Sequence, residues 1–142
     1  MEFDPHAHMV GGFSVNDGTI DFYLRIRSLI KKTDVVLDLG AGRAAWFEDD
    51  DCEIRRNNRL LRGAVSKLIA ADVDPIVKEN RASDEQVLIQ NGVLDLPSNS
   101  VDLIIADYVL EHIDDTDMFY EQVNGLLRSG GWFCARTPHK YS

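Results

Sequence analysis

Cysteine, proline, basic charge and long apolar runs are all scarce in this chain of 142 residues. The two cysteines, Cys52 and Cys134, are too few and too far apart for a zinc cluster or a disulfide framework. Cys134 lies in an apolar run and reads as a free buried thiol. No stretch approaches the roughly 18 consecutive apolar residues that a membrane span needs. Residues 1–6 lack the basic and apolar segments of a signal peptide, so the expected location is cytoplasmic. Lys and Arg number 15 against 24 Asp and Glu, a formal net charge of −9. A chain that grips nucleic acid presents a basic face; nucleic acid is therefore not an expected partner, and a small or neutral one is. The apolar fraction of 44% and charged fraction of 27% are those of an ordinary globular domain.

What is present is a repeated pattern: a short apolar run that ends in a carboxylate. Val35–Leu39 reads as a strand buried on both faces, and it stops at Gly40 and Gly42. Glycines there let the chain turn sharply and approach a ligand without a side chain in the way. A helix opening after the turn presents unpaired N–H groups to whatever lies in it. Asp38, inside the end of the strand, is unsuited to a phosphate and suits a ligand with positive charge. Taken alone, Gly40, Gly42 and Ala45 also fit a dinucleotide fingerprint, or a tight turn with no ligand.

Downstream, the run Lys67–Asp72 is followed by Val73, Asp74 and Pro75. Asp74 sits where a helix cap is needed before Pro75, which leaves Asp72 for the two hydroxyls of a ribose. Gln86–Ile89 is a third strand, and the loop Asn91–Pro97 places Leu94 and Leu96 around Asp95, a clamp for a flat ring with an acceptor for its exocyclic amine. Val101–Tyr108 is a fourth strand with an acid, Asp107, near its end. Phe119, Val123, Leu126 and Leu127 recur with helical spacing over residues 115–128; Gly130 and Gly131 close that helix, and a fifth strand starts at Trp132. Phe22, Ile26, Leu29 and Ile30 give an amphipathic helix over 17–32, on which Tyr23 reads as core rather than ligand contact. Strands alternating with helices predict a three-layer α/β fold with a mostly parallel sheet of about five strands and right-handed crossovers.

Six phrases, Val36–Gly42, Ala71–Pro75, Asn91–Pro97, Ser100–Ile104, Leu110–Ile113 and Leu127–Phe133, occur in order from about residue 17 to the end. Together they resemble the class I S-adenosylmethionine-dependent methyltransferases. The resemblance implies a Rossmann-like sheet of order 3-2-1-4-5 with helices on both faces, and S-adenosylmethionine as cofactor. It places Gly40, Ala41 and Gly42 against the methionine part, Asp38 near its ammonium and Asp107 near the methionine end. It gives Asp72 the ribose, Val73 and Leu94 the faces of the adenine, and Asp95 its amino group. His112 is its candidate general base, histidine being the residue type that exchanges protons near neutral pH; a helix cap, or packing beneath the cofactor, is the other role open to it. A nicotinamide-dependent oxidoreductase fits less well, because Gly40 and Asp72 are 32 residues apart where the dinucleotide pattern places an acid about 20 residues on. Ala44 stands where the family has a third glycine.

The expected organisation is a flexible segment over 1–16 and a cofactor-binding methyltransferase core over 17–142. His6 and His8 lack a third metal ligand, so no metal is expected. The 24 residues from Arg43 to Ser66 form a long first crossover in which four acids precede Arg55, Arg56, Arg59 and Arg62. That order reads as a solvated helix laced by surface ion pairs, with contact to an acidic acceptor as the alternative. The family's C-terminal antiparallel strand pair is lacking, which leaves the fifth strand as an apolar edge for a homodimer, or for the rest of a longer protein, to cover. The expected reaction is transfer of a methyl group to a small-molecule acceptor. A cofactor-binding fragment or inactive subunit is the alternative.

Overall fold

The computed structural model describes residues 10–138; His6 and His8 lie outside them. The elements in chain order are α1 (Gly18–Leu29), β1 (Val35–Leu39), α2 (Ala45–Asp49), α3 (Glu53–Arg59), β2 (Lys67–Asp72), β3 (Glu85–Leu88), β4 (Val101–Asp107), α4 (Thr116–Leu126) and β5 (Leu127–Arg136). The five strands form one sheet in the order β3-β2-β1-β4-β5, parallel at every pairing. This is the expected order, and it places β1 and β4 at the centre, where both faces are covered.

Side chains alternate across a strand, and the two cores follow from that parity. Val36, Leu68, Leu103 and Ile105 pack on one face against Tyr23 and Ile26 of α1 and against Leu61 and Val65. Leu37, Leu39, Ile69, Ala71 and Ile104 pack on the other face against Val123 and Leu126 of α4. Asp17 caps α1 by accepting from the Ile20 N–H at 2.9 Å, and Asp115 caps α4 by accepting from the Met118 N–H at 3.0 Å. Asp74 accepts from the Ile76 N–H at 3.0 Å and caps a 3₁₀ turn over Pro75–Glu79, as its position before proline suggests.

The structure corrects two readings. Gly130 and Gly131 do not end α4: the chain turns straight into β5 at Leu127, whose backbone is extended. The last carbonyls of α4 are taken by neighbouring backbone instead, Gly125 by the Asn99 N–H and Leu126 by the Ser100 N–H, both at 2.9 Å. The glycine pair forms a bulge in β5, where the register passes from Val101↔Leu127 to Leu103↔Trp132. A Cβ on Gly131 would lie 2.9 Å from the carbonyl oxygens of Arg128 and Asp102.

The first crossover is the second correction. It is two short helices, of which α3 docks on α1, not one solvated helix, and its arginines are fasteners. Arg55 bonds both Asp50 and Asp17 at 2.7–2.8 Å, and Arg56 donates to the Asp50 carbonyl at 2.9 Å. From the other side, Arg27 of α1 donates to the carbonyls of Asn57, Asn58 and Leu60 at 2.7–2.9 Å, satisfying the C-terminus of α3. Cys134 is half-buried against the α1-side core, and burial pushes its thiol up.

Candidate functional site

A cavity of about 400 Å³ opens beyond the carboxyl ends of β1 and β2, lined by Gly40, Asp72, Val73, Leu94, Tyr108 and His112 among others. β1 lies between β2 and β4, so the chain leaves it in opposite directions here, the position where open α/β sheets bind ligands. Ile89, Ile113 and Phe119 give the cavity an apolar body, and Asp72 is the acid on its wall.

The glycine turn is built by backbone bonds. The Gly40 N–H donates to the Ala71 carbonyl at 2.8 Å and the Ala41 N–H to the same oxygen at 3.3 Å. The Gly42 N–H donates to Asp72 Oδ2 at 2.9 Å, and Asn80 Nδ2 donates to the Gly42 carbonyl at 2.9 Å. Asp72 Oδ1 accepts from the Asp74 N–H at 3.1 Å. Each Asp72 oxygen thus holds one backbone N–H and has capacity for a second hydrogen bond. Gly40 and Gly42 adopt φ of 68° and 54°. Ala44 also sits left-handed, at φ 58°, so alanine in the third glycine position carries backbone strain.

On the far side of the cavity, Gln122 of α4 accepts from the Leu94 N–H at 3.0 Å and donates to the Gly92 carbonyl at 2.7 Å. It holds the loop that carries Leu94. Val73 is 69% exposed at the rim. Asp95 is exposed and outside the lining; Leu94 and Leu96 both pack against the α4-side core, and of the two only Leu94 lines the cavity. Asn80 and Gln122 were not singled out from the sequence. Their partners lie 38 and 28–30 residues away, and no local pattern signals that.

Asp38 and Asp107 do not line the cavity. Asp38 shares the parity of Val36 and so faces α1, away from the cavity. Asp107 is already engaged: Arg136 donates to both its oxygens at 2.8 and 2.9 Å, Tyr23 donates its hydroxyl at 3.0 Å, and Arg59 lies at 3.5 Å. Tyr23 is therefore core, 2% exposed, and burial pushes its phenol far up. Asp38 makes no hydrogen bond or ion pair among the described residues. Burial pushes its carboxyl up to about 7, against the pull of Arg59, with Asp107 and Asp72 adding to the rise. Between the ordinary carboxylate range and that value the folded chain holds a proton that the unfolded chain has lost, so stability falls as pH rises through this window. Asp38→Asn is expected to stabilise the fold by about 2 kcal/mol at pH 8, with the gain shrinking toward pH 5. Thermal unfolding of both proteins at the two pH values measures it.

His112 closes a 3₁₀ turn over Leu110–His112 at the mouth of the cavity. Its side chain is 79% exposed, with Nε2 3.9 Å from Glu111. It does not cap α4, which Asp115 does. Before it, Tyr108 turns the chain at φ 57°, its N–H bonded to the Arg136 carbonyl at 2.8 Å.

The profile of the methyltransferase domain family matches residues 37–135, a span that holds the glycine turn, Asp72 and all but the outer ends of the sheet. The chain belongs to the methyltransferase domain family. This methyltransferase domain is 33% identical over 85 residues to a Mycolicibacterium smegmatis protein named as a probable S-adenosylmethionine-dependent methyltransferase, covering 57% of this chain and 33% of that one. It is 28% identical over 141 residues to the ribosomal protein L11 methyltransferase of Anoxybacillus flavithermus, covering 94% of this chain and 40% of that one. Its fold matches a Mesorhizobium loti S-adenosylmethionine-dependent methyltransferase with a TM-score of 0.60 at 21% identity, over 87% of this chain and 56% of that one. The chain thus spans a third to two-fifths of the two curated relatives' length.

The residues present fit an S-adenosyl cofactor. Asp72 is the acid on the cavity wall, and Leu39, Ile89, Leu94, Ile113 and Phe119 make most of that wall apolar. They do not fit a dinucleotide, because the N–H groups of Gly40, Ala41 and Gly42 are all spent on Ala71 and Asp72, leaving no phosphate cradle in the turn.

Proposed function

We propose that the cavity beyond β1 and β2 binds S-adenosylmethionine and that the domain transfers its methyl group to a small-molecule acceptor. The observation that carries this reading is the meeting of Asp72, the glycine turn and Leu94 on one cavity wall. In it, Asp72 takes the ribose hydroxyls, Val73 and Leu94 flank the adenine, and the turn Gly40–Gly42 lies along the path toward Asp38. When bound, the cofactor supplies a methyl group on a positively charged sulfur and leaves as a neutral thioether. The protein's part is to align the acceptor with that methyl group and to exclude water. His112, exposed at the mouth, accepts the proton that a hydroxyl or ammonium acceptor gives up.

Titration calorimetry with S-adenosylhomocysteine, with NAD as control, tests the cofactor assignment. Micromolar binding of the former alone is expected; binding of NAD alone would overturn it. With a turned-over acceptor in hand, His112→Gln is expected to lower the rate by about 100-fold and flatten the pH–rate profile. An unchanged rate and profile remove the base role.

The apolar cavity favours a small acceptor. A protein side chain, which the name of the Anoxybacillus relative suggests, is the other class, and labelled methyl groups appearing in protein rather than in small molecules would select it. The relatives' greater length favours a second reading in which turnover needs a further segment or partner; binding without turnover in this chain would support it. β5 pairs only with β4 among the described residues, which leaves an edge for a second copy. A monomer at micromolar concentration removes the homodimer.

A further inference from the structure

Asparagine is followed by glycine twice in the chain, at Asn91–Gly92 and at Asn124–Gly125. Such a pair is prone to ring closure, because glycine has no Cβ to shield its amide nitrogen. Both asparagines are exposed, so their side chains do not tell them apart. The backbone does. Asn124 and Gly125 lie inside α4, where the Gly125 N–H is committed to a carbonyl one turn back and the Gly125 carbonyl accepts from the Asn99 N–H at 2.9 Å. Asn91 and Gly92 are instead the two central residues of a tight turn. Both are left-handed, at φ 54° and 72°. The Val93 N–H closes the turn on the Gln90 carbonyl at 3.0 Å, and Gln90 and Val93 face each other as an antiparallel bridge. The Gly92 N–H makes no hydrogen bond among the described residues. Asn99 is also exposed and left-handed, but the next residue, Ser100, donates its N–H to the Leu126 carbonyl at 2.9 Å.

We infer that Asn91 is a site of spontaneous deamidation and that the modification weakens the large cavity. The Gly92 amide nitrogen gives its proton to solvent base and attacks Asn91 Cγ. The new N–Cγ bond closes a cyclic imide, and the side-chain nitrogen leaves as ammonia. Water then opens the ring, with no change of oxidation state. Breaking the bond to Cγ restores an ordinary backbone with aspartate at 91. Breaking the bond to the backbone carbonyl carbon gives isoaspartate, in which the chain runs through the former side chain and is longer by a methylene. Either product carries a new negative charge. The position matters because the turn is an edge of the cavity. Gly92 lines it, and Gln122 ties the loop to α4 through the Gly92 carbonyl at 2.7 Å and the Leu94 N–H at 3.0 Å. A longer chain at 91 carries the Gly92 carbonyl off Gln122 and shifts Leu94. The consequence for binding rests on the cofactor reading above; the modification itself does not.

The test incubates the folded chain at pH 8 and at pH 5 and follows it by intact mass and peptide mapping. A mass gain equal to water added less ammonia lost is expected, at least about tenfold faster at Asn91 than at Asn124. It is expected to be faster at pH 8, where the amide gives up its proton more readily. In denaturant both sites are expected to react alike, since α4 no longer holds the Gly125 N–H. Equal rates at the two sites in the folded chain overturn the proposal. So does an Asn91 that stays intact in the folded chain while the denatured chain converts. For the consequence, the modified chain is separated by its extra charge and titrated with S-adenosylhomocysteine, and its affinity is expected to be about tenfold lower. Asn91→Gly keeps residue types suited to the same turn and has no amide to lose, so it is expected to keep its affinity through the same incubation. A modified chain that binds as tightly as the fresh one overturns the effect on the cavity. A fresh chain that does not bind S-adenosylhomocysteine overturns the cofactor reading, and mass and mapping still decide the modification.

Discussion

Gly40→Ala is expected to cost about 3 kcal/mol of folding stability, a sum of strain and overlap. Gly40 sits at φ 68°, a region that costs an L-residue roughly 1–2 kcal/mol. The new Cβ would lie 2.5 Å from Val109 Cγ2, and valine is stiff at χ1, so the methyl has no low-energy way out. The Gly40 N–H to Ala71 bond fixes the other side of the turn at 2.8 Å, which prevents the backbone from retreating. A double-mutant cycle separates the two contributions. Val109→Ala alone is expected to destabilise slightly by lost packing, and in the Gly40→Ala background to restore about half of the loss. Denaturant unfolding of the four proteins measures the coupling. Strict additivity would mean that Val109 relaxes freely and that strain is the whole effect.

Asp72→Asn is expected to lower affinity for S-adenosylhomocysteine by about 100-fold and folding stability by about 2 kcal/mol. The carboxylate now accepts from the Gly42 N–H on one oxygen and from the Asp74 N–H on the other. Asparagine keeps one acceptor oxygen and puts an NH₂ group where the second stood, so one backbone N–H faces a donor in either orientation. The turn loosens and, on the proposed reading, the ribose loses an acceptor at the same stroke. Affinity for 5′-methylthioadenosine, which keeps the ribose, is expected to fall in parallel. Calorimetry and thermal unfolding on one preparation decide the matter. Weakened stability with undiminished affinity would leave Asp72 a fastener of the glycine turn and nothing more.

Asp72 was legible in the sequence because local pattern determines its position. An acid at the end of an apolar run, on a strand adjoining β1, lies at the carboxyl edge of the sheet in any parallel arrangement. Asp38 was legible as an unusual acid at the end of a strand, and strand parity gives its direction. Counting from Val36 shows that it shares that residue's face and cannot point to the side of Leu37 and Leu39. The partners of Asp107 were not legible, because nothing near it in sequence reveals Arg136, 29 residues on, or Tyr23, 84 residues back. The glycine pair at 130–131 was read as a helix stop because α4 and β5 join without a loop, and glycine marks a bulge as readily as a cap.

By itself the sequence determined the strands and the carboxyl edge where the cavity forms, because hydrophobic period and turn residues act over a few neighbours; the strand order came from the family resemblance. Only the tertiary structure decided which carboxylates remain unspent. That depends on arginines of a crossover whose composition looks like a solvated surface: Arg55 fastens α3 to Asp17 and Asp50, Arg59 stands on two aromatic rings within 3.5 Å of Asp107, and Arg136 of β5 occupies Asp107. A charge is used up or left over according to the side chains that the fold brings within about 4 Å of it, and those come from segments tens of residues away.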